Sequence, residues 1–285
     1  MSLTYKFSGH ESFPCKTLWL KKGYDFVNNG NDFNSPNAVI DLGVGKNMVS
    51  SIRYWLKAFG ITDTEGNLTE IGNYLFDDEN GRDKYLEDLA TLWLLHFNIV
   101  FLQEATLYNW FFCGLQRERA QFDKEQIITF ARLRMTEAGK QNVFNENTVK
   151  KDTGVLLQNY TLPRKAQSNE DYSSLLLDLD LVRQKMETKG YYFNVDGKRK
   201  VTKEVFMYGL LRMKNKDNTI AYETIQEQLG LLFCMNDAET IAMLRELSSV
   251  YSKQMTYSDV SGIRQVQFTG ELDPIKVLED YYAHI

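Results

Sequence analysis

Between residues 35 and 76 the apolar positions recur at helical spacing in three short runs broken by glycines. Ala38, Val39 and Leu42 make the inner face of a short helix. Gly43 ends it, because the C-terminal turn needs a positive φ that glycine adopts freely. Val44 fills the angle that follows, and Gly45 takes the N-cap of the next helix. There Val49, Ile52, Leu56 and Phe59 return every three or four residues and share one face. The polar side carries Lys46, Asn47, Ser50, Arg53 and Lys57, with Ser51 grouped among them. Gly60 closes this helix, and Glu65-Gly66 makes the turn of a small hairpin. Thr69 caps a further helix that brings Ile71, Tyr74, Leu75 and Phe76 onto the core. This order is that of a winged helix-turn-helix, whose second helix docks in the DNA major groove. Asn and Arg pair with base edges, and Ser and Lys hold phosphates. Winged helices also serve as protein-docking modules, so a partner other than DNA stays open. Gly43, Gly45 and Lys46 lack the full spacing of a phosphate-binding loop.

The N-terminal 34 residues predict a helix supplied by Phe13, Leu18, Trp19, Leu20, Tyr24 and Phe26, with Pro14 near its start. Lys16, Lys21 and Lys22 lie along it, where they can meet phosphates beside the recognition helix. A polar run, DDENGR at 77–82, marks a boundary. Helical spacing then predicts helices over 86–100, 106–115, 124–138 and 147–159, interrupted only by Pro163 and SNEDYSS at 168–174. The aromatics Tyr108, Trp110, Phe111 and Phe112 at such spacing read as core. Near residue 190 the period becomes alternating. YYFNV and KRKVT around Asp196-Gly197 predict a hairpin made basic by Lys198, Arg199, Lys200 and Lys203. That strip reads equally as a second DNA-backbone contact or as a lysine-protected edge. Helices follow at 203–213, 222–232 and 237–251, the last capped by Asn236 or Asp237. A hairpin at 254–268 completes a pattern consistent with a second winged helix. The fold class is therefore mainly α with small β-hairpins. The expected domains are 1–80 (winged helix-turn-helix and arm), 81–186 (helical scaffold) and 187–285 (an α+β lobe).

Charge sharpens the picture. The chain of 285 residues has a formal charge of −5, but residues 1–60 are at +3 and the remainder at −8. The basic end is the end with the helix-turn-helix, as DNA binding needs. Residues 219–268, at −3, suit contacts to a partner or to a second copy instead. A module at +3 binds weakly and with strong salt dependence, so a dimer or a protein partner is expected. The apolar run at 90–101 is too short to span a bilayer and is broken by His96 and Asn98, and the N-terminus has no apolar signal core. A cytoplasmic protein without membrane contact is the expectation.

Catalytic-looking groups gather once. Ser8, His10, Glu11, Ser12 and Cys15 place hydroxyl, imidazole, carboxylate and thiol within eight residues. Such groups build a nucleophile and a base only with an orienting partner and an oxyanion site. A structural role is expected: His10 and Glu11 fixing the arm by hydrogen bonds, Cys15 packed beside Phe13 and Trp19. His96, on an apolar helix, reads as a core histidine. With three histidines and with Cys15, Cys113 and Cys234 far apart, neither a histidine-rich metal site nor a zinc ribbon is expected. No cofactor is implied.

Three stretches, FSGHESFPCKTLWLKKGYDFV (7–27), LGVGKNMVSSIRYWLKAFG with the LTEIGNYLF that follows, and YLEDLATLWLLHFNI (85–99), resemble the domain-of-unknown-function family numbered 4007. The resemblance covers nearly the whole chain. It implies a bacterial protein often encoded near phosphorothioate DNA-modification or phage-defence genes, beside a PAPS-reductase-like sulfurtransferase. It supplies no catalytic residues. Together these readings point to an adaptor, sensor or regulator that binds double-stranded DNA in such a system. A docking module without DNA contact and a nuclease subunit are the alternatives.

Overall fold

The structure is a computed structural model that describes residues 5–163, 173–214 and 217–284; the expectation for 168–172 lies outside them. The protein is mostly helical with two three-stranded antiparallel sheets. It gathers into two compact units, Met1–Arg199 and Lys200–Ile285.

In the first unit, α1 (Trp19–Asn28), α2 (Ala38–Leu42), α3 (Lys46–Ala58) and α4 (Glu70–Phe76) pack around a common core. Helix α1 starts at Trp19, later than its apolar residues suggest, and leaves Leu18 exposed. Ala38 and Leu42 are buried with Phe26 and Val49, joined by Phe33 and Val44. Val39, expected on that inner face, turns outward. Gly43 ends α2 at φ 61°, as the turn requires. The Glu65-Gly66 segment makes less of a hairpin than expected. Its two sides meet at a single bridge, Thr62 with Leu68. The Asp63 carboxylate instead collects the amides of Glu65, Gly66 and Asn67 at 2.8–2.9 Å, and a side chain satisfies what a ladder would have. Thr69 caps α4, accepting from the Gly72 amide at 3.1 Å.

Helix α5 (Leu89–Phe101) is apolar on all sides and buried on all sides. Its polar residues are satisfied internally. His96 Nδ1 lies 2.8 Å from the Tyr160 hydroxyl, and Asn98 donates to the Phe59 carbonyl at 3.0 Å. Helix α6 (Thr106–Asn109) widens into a π turn over Trp110–Leu115 and ends as α7 (Gln116–Glu118), burying the aromatic stripe. After the short strand β1 (Gln121–Phe122), Asp123 and Gln126 form a reciprocal cap on α8 (Lys124–Glu137). Asn145 caps α9 (Glu146–Tyr160), which packs along α8.

The hairpin expected around Asp196-Gly197 is absent. Strand β3 (Tyr191–Phe193) pairs with β1 and with β2 (Val182–Gln184), in the order β1-β3-β2. Asn194 explains the change: its amide donates to Leu181 O at 2.9 Å and its side chain to Asp180 O at 2.8 Å. The chain then turns, and residues 198–202 carry no strand.

The second unit contains α10 (Lys203–Met213), β4 (Thr219–Ala221), α11 (Tyr222–Ile225) running into a π turn, α12 (Asp237–Val250), β5 (Met255–Val260), β6 (Ile263–Phe268) and α13 (Pro274–Tyr282). Asn236 and Glu239 cap α12 reciprocally. The β5–β6 hairpin turns on Ser261 and Gly262, both at positive φ, which suits a tight two-residue loop. The sheet order is β4-β6-β5.

Gly72 tests the packing of α4. A Cβ there would lie 2.6 Å from the Ile61 carbonyl oxygen, a backbone atom with little room to yield. Alanine would gain about 1 kcal/mol of helix propensity. We expect the overpacking cost of about 1–3 kcal/mol to exceed it, so Gly72→Ala lowers the denaturation midpoint. A variant as stable as the parent would contradict this packing.

Candidate nucleic-acid interface

Helix α3 divides cleanly into two faces. Val49, Ile52, Trp55 and Leu56 are buried, while Lys46, Asn47, Ser50 and Arg53 are exposed and Lys57 is half-buried. Ser51 departs from the expectation. It is fully buried, and its hydroxyl donates to the His10 carbonyl at 3.0 Å, so it faces the arm and not solvent. Its neighbours in sequence misled because residues one apart on a helix point about 100° apart.

The first turn of α3 suits an anion. Gly45 supplies no side-chain cap, so the first-turn amides keep their open positions, and Lys46 stands beside them. The far end of the face is more engaged. Arg53 donates to Asn34 Oδ1 and Lys57 to the Thr64 carbonyl, each at 2.9 Å. Both line a cleft of about 160 Å³ that also holds Asp32 and Glu65. Two of the three cations of α3 are thus engaged at its C-terminal half, and Lys46 stands at its N-terminal turn.

The lysines of the N-terminal region separate. Lys21 is largely buried and spent within the fold: its ammonium pairs with Asp25 at 2.5 Å and Asp78 at 2.7 Å and donates to the Phe76 carbonyl. It is withdrawn from the interface. Lys22 donates to the Leu42 carbonyl at 3.0 Å and so closes the end of α2. Lys16 bridges to Ser174 and lines a cleft with Met48 of α3.

The catalytic-looking cluster is drawn apart. His10 is buried. Its Nδ1 accepts from the Ser12 amide at 3.1 Å, which places the ring proton on Nε2, 2.8 Å from Asp152 Oδ1. Asp152, on α9, also accepts from the Ser8 amide at 3.0 and 3.1 Å. Both ring nitrogens are thus committed. Glu11 projects outward from a backbone at φ 48°. Cys15 is fully buried, with its amide donating to Asn159 Oδ1 at 3.0 Å. Among the described residues no three of His, Cys, Asp and Glu converge as a metal-ligand set.

Asp152 and Asn159 escaped the sequence reading. They lie seven residues apart, two helical turns, within the stripe Val149, Thr153, Leu156 and Tyr160 that buries α9. A polar residue at a core position of a helix is the signal that marks them.

Two outcomes follow from this arm. Asp152→Ala strands the buried His10 ring and the partly buried Ser8 amide, and we expect a loss of about 1–3 kcal/mol in denaturant unfolding; Asp152→Asn, which keeps one acceptor oxygen, should cost less. An unchanged midpoint for both would show that the arm is not held this way. Burial also pushes the Cys15 thiol and the Tyr54 and Tyr108 phenols well above their ordinary values of 9.0 and 10.0. The folded chain therefore keeps protons that the unfolded chain gives up. The associated stability is complete below about pH 9 and declines as the pH climbs. Melting temperatures measured from pH 7 upward should fall beyond that point; a flat profile would refute it.

Comparison with curated proteins finds no match. Two solved structures share the fold. The magnesium ion-bound SspB crystal structure superposes with a TM-score of 0.85 at 22% identity, and a second SspB crystal structure with 0.83 at 23%. Each alignment covers 98% of this chain and 88% of the other. The sequence profile of one family spans residues 7–282, nearly the full length, and the chain belongs to that family, protein of unknown function (DUF4007).

Proposed function

We propose that this chain binds double-stranded DNA through the N-terminal half of α3. It would work as a cytoplasmic adaptor, sensor or regulator in a bacterial DNA-modification or phage-defence system of the phosphorothioate kind. The observation that carries the reading is the exposed first turn of α3, where Lys46 and Asn47 stand beside amides that no side chain caps. In this reading residues 35–76 act as a winged helix-turn-helix with a minimal wing. The α3 turn enters the groove with its N-terminal residues leading, as recognition helices do. Lys46 and Ser50 meet phosphates, Asn47 meets a base edge, and Arg53 leaves Asn34 for DNA. Asp63 and Glu65 make the wing acidic, so it contributes little to phosphate contact. The biological setting is supported by the family resemblance and by the SspB fold.

Exposed apolar side chains of the same unit support an assembly role. Leu18, Ile40 and Tyr85 are 60%, 77% and 60% exposed. Exposed apolar side chains of this size favour a protein contact, either another component of the system or a second copy.

The test is a salt-dependent binding assay on plain and phosphorothioated duplexes, with a cleavage lane containing Mg²⁺ run in parallel. Lys46→Ala should weaken binding on all sequences and reduce the slope of log K against log salt by about 0.9. Asn47→Ala should cost about 1–3 kcal/mol on a preferred sequence only. Arg53→Ala should weaken binding while stability stays within about 0.5 kcal/mol. If Arg53→Ala unfolds the protein and leaves affinity per folded molecule intact, Arg53 is structural. If all three variants bind as the parent does, α3 is not the interface.

A further inference from the structure

A second accumulation of cations lies in the first unit, away from α3. It lines a groove of about 1010 Å³ beside β2 and β3, at the upper end of the size of small-molecule clefts, about 300–1,000 Å³. Arg183 and Lys185 come from β2 and the loop after it; Lys198 and Arg199 come from the turn after β3. The turn is fixed by backbone bonds from Lys198 to Asn194 at 3.1 Å and from Arg199 to Leu179 at 3.3 Å. Among the described residues two carboxylates share the groove, Asp178 and Asp180. Asp180 is spent on the Arg183 guanidinium and the Asn194 amide; Lys185 donates to the Gln121 side-chain oxygen and Lys198 to the Val195 carbonyl, and with Arg199 these cations outnumber Asp178 among the described lining residues.

The groove also offers surfaces for bases. Tyr192 lines it and is partly exposed, and Met186 is 98% exposed. Phosphate-binding cations interleaved with an aromatic and a flexible apolar side chain are what an unpaired strand needs. A duplex would not use them, because its bases are already stacked on one another. Gln184 forms a wall common to this groove and to a second cleft of about 480 Å³. That cleft holds Lys16, Lys124 and Met48, and Met48 follows Asn47 on α3. The two clefts thus share Gln184, and each carries cations.

We propose that this groove binds a single nucleic-acid strand, with phosphates on Lys185, Lys198 and Arg199 and bases against Tyr192 and Met186. The inference deepens the DNA-binding reading and rests on it for the source of the strand, which passes Lys16 and Lys124 on leaving a duplex held at α3.

Fluorescence anisotropy on the full chain separates the two sites, using a labelled oligothymidylate and a labelled duplex of equal length. The double variant Lys185→Gln/Arg199→Gln should bind oligothymidylate roughly tenfold or more weakly at 0.1 M salt. Its salt slope should be shallower by about 1.4, two phosphate contacts' worth, with duplex affinity unchanged. Lys46→Ala should do the reverse. A parent that does not bind oligothymidylate, or a double variant that binds it as the parent does, overturns the proposal. Equal loss of both ligands with the melting transition intact overturns it too, by showing a general charge effect. If the double variant loses its melting transition, Arg199→Gln alone, altered at an exposed side chain, is read by the same criteria. Parent protein that binds oligothymidylate through the groove but no duplex would refute the α3 reading and leave this one standing.

Discussion

The carboxylate of Asp152 is the fixed point of the first unit. It is nearly excluded from water and accepts from one backbone amide and one imidazole, both belonging to an arm 140 residues earlier in the chain. A buried charge persists only when its oxygens are satisfied in this way. The arm needs the anchor as much as the anchor needs the arm. Ser8, Gly9, Glu11 and Ser12 all have positive φ, and side chains other than glycine adopt that backbone at a cost of about 1–3 kcal/mol each. Gly9 is glycine for a second reason, because a Cβ there would lie 2.5 Å from the Tyr54 ring.

From this anchor the orientation of α3 follows. The His10 carbonyl takes the Ser51 hydroxyl, and the His10 ring packs against Tyr54 and Trp55. The Trp55 indole donates to the Phe13 carbonyl at 3.1 Å. One side of α3 is thereby locked to the arm and, through Asp152, to α9. The side that remains is the one bearing Lys46, Asn47, Ser50 and Arg53. The same contacts occupy both ring nitrogens of His10, and burial holds the proton on Cys15. These contacts make the cluster a clamp that orients α3.

The second unit carries the longest strands among the described residues. Its hairpin pairs six residues on each strand, and Arg264 lies over the Tyr222 ring at 4.1 Å while pairing with Glu223. Val260 and Ile263 flank the tip and are exposed. An acidic body with an apolar hairpin tip is better matched to a protein surface than to phosphates. Neither unit is basic as a whole: residues 1–199 hold 24 Lys/Arg against 26 Asp/Glu and residues 200–285 hold 9 against 12, so the cations of the first unit act as local clusters.

Several features were readable from residues alone. Glycine at 43, threonine at 69 and asparagine at 236 announce helix ends because their effects are local: a positive φ, or an oxygen within reach of an amide two or three residues on. The amphipathic period of α3 and the uniform apolarity of α5 announce burial for the same reason. Pairings between distant segments were not readable. The partner of Tyr191–Phe193 is set by a three-residue strand too short to show a period, and by Asn194 reaching back to Asp180 and Leu181. Ser51 and Lys21 have the composition of an interface, yet one is buried under the arm and the other is neutralised by Asp25 and Asp78. The groove beside β2 and β3 draws its cations from two segments that are separated in sequence and meet only once the sheet has formed. Local geometry is encoded within a turn or two of chain, whereas burial and charge pairing depend on what the rest of the chain brings alongside. That part only the tertiary structure decided.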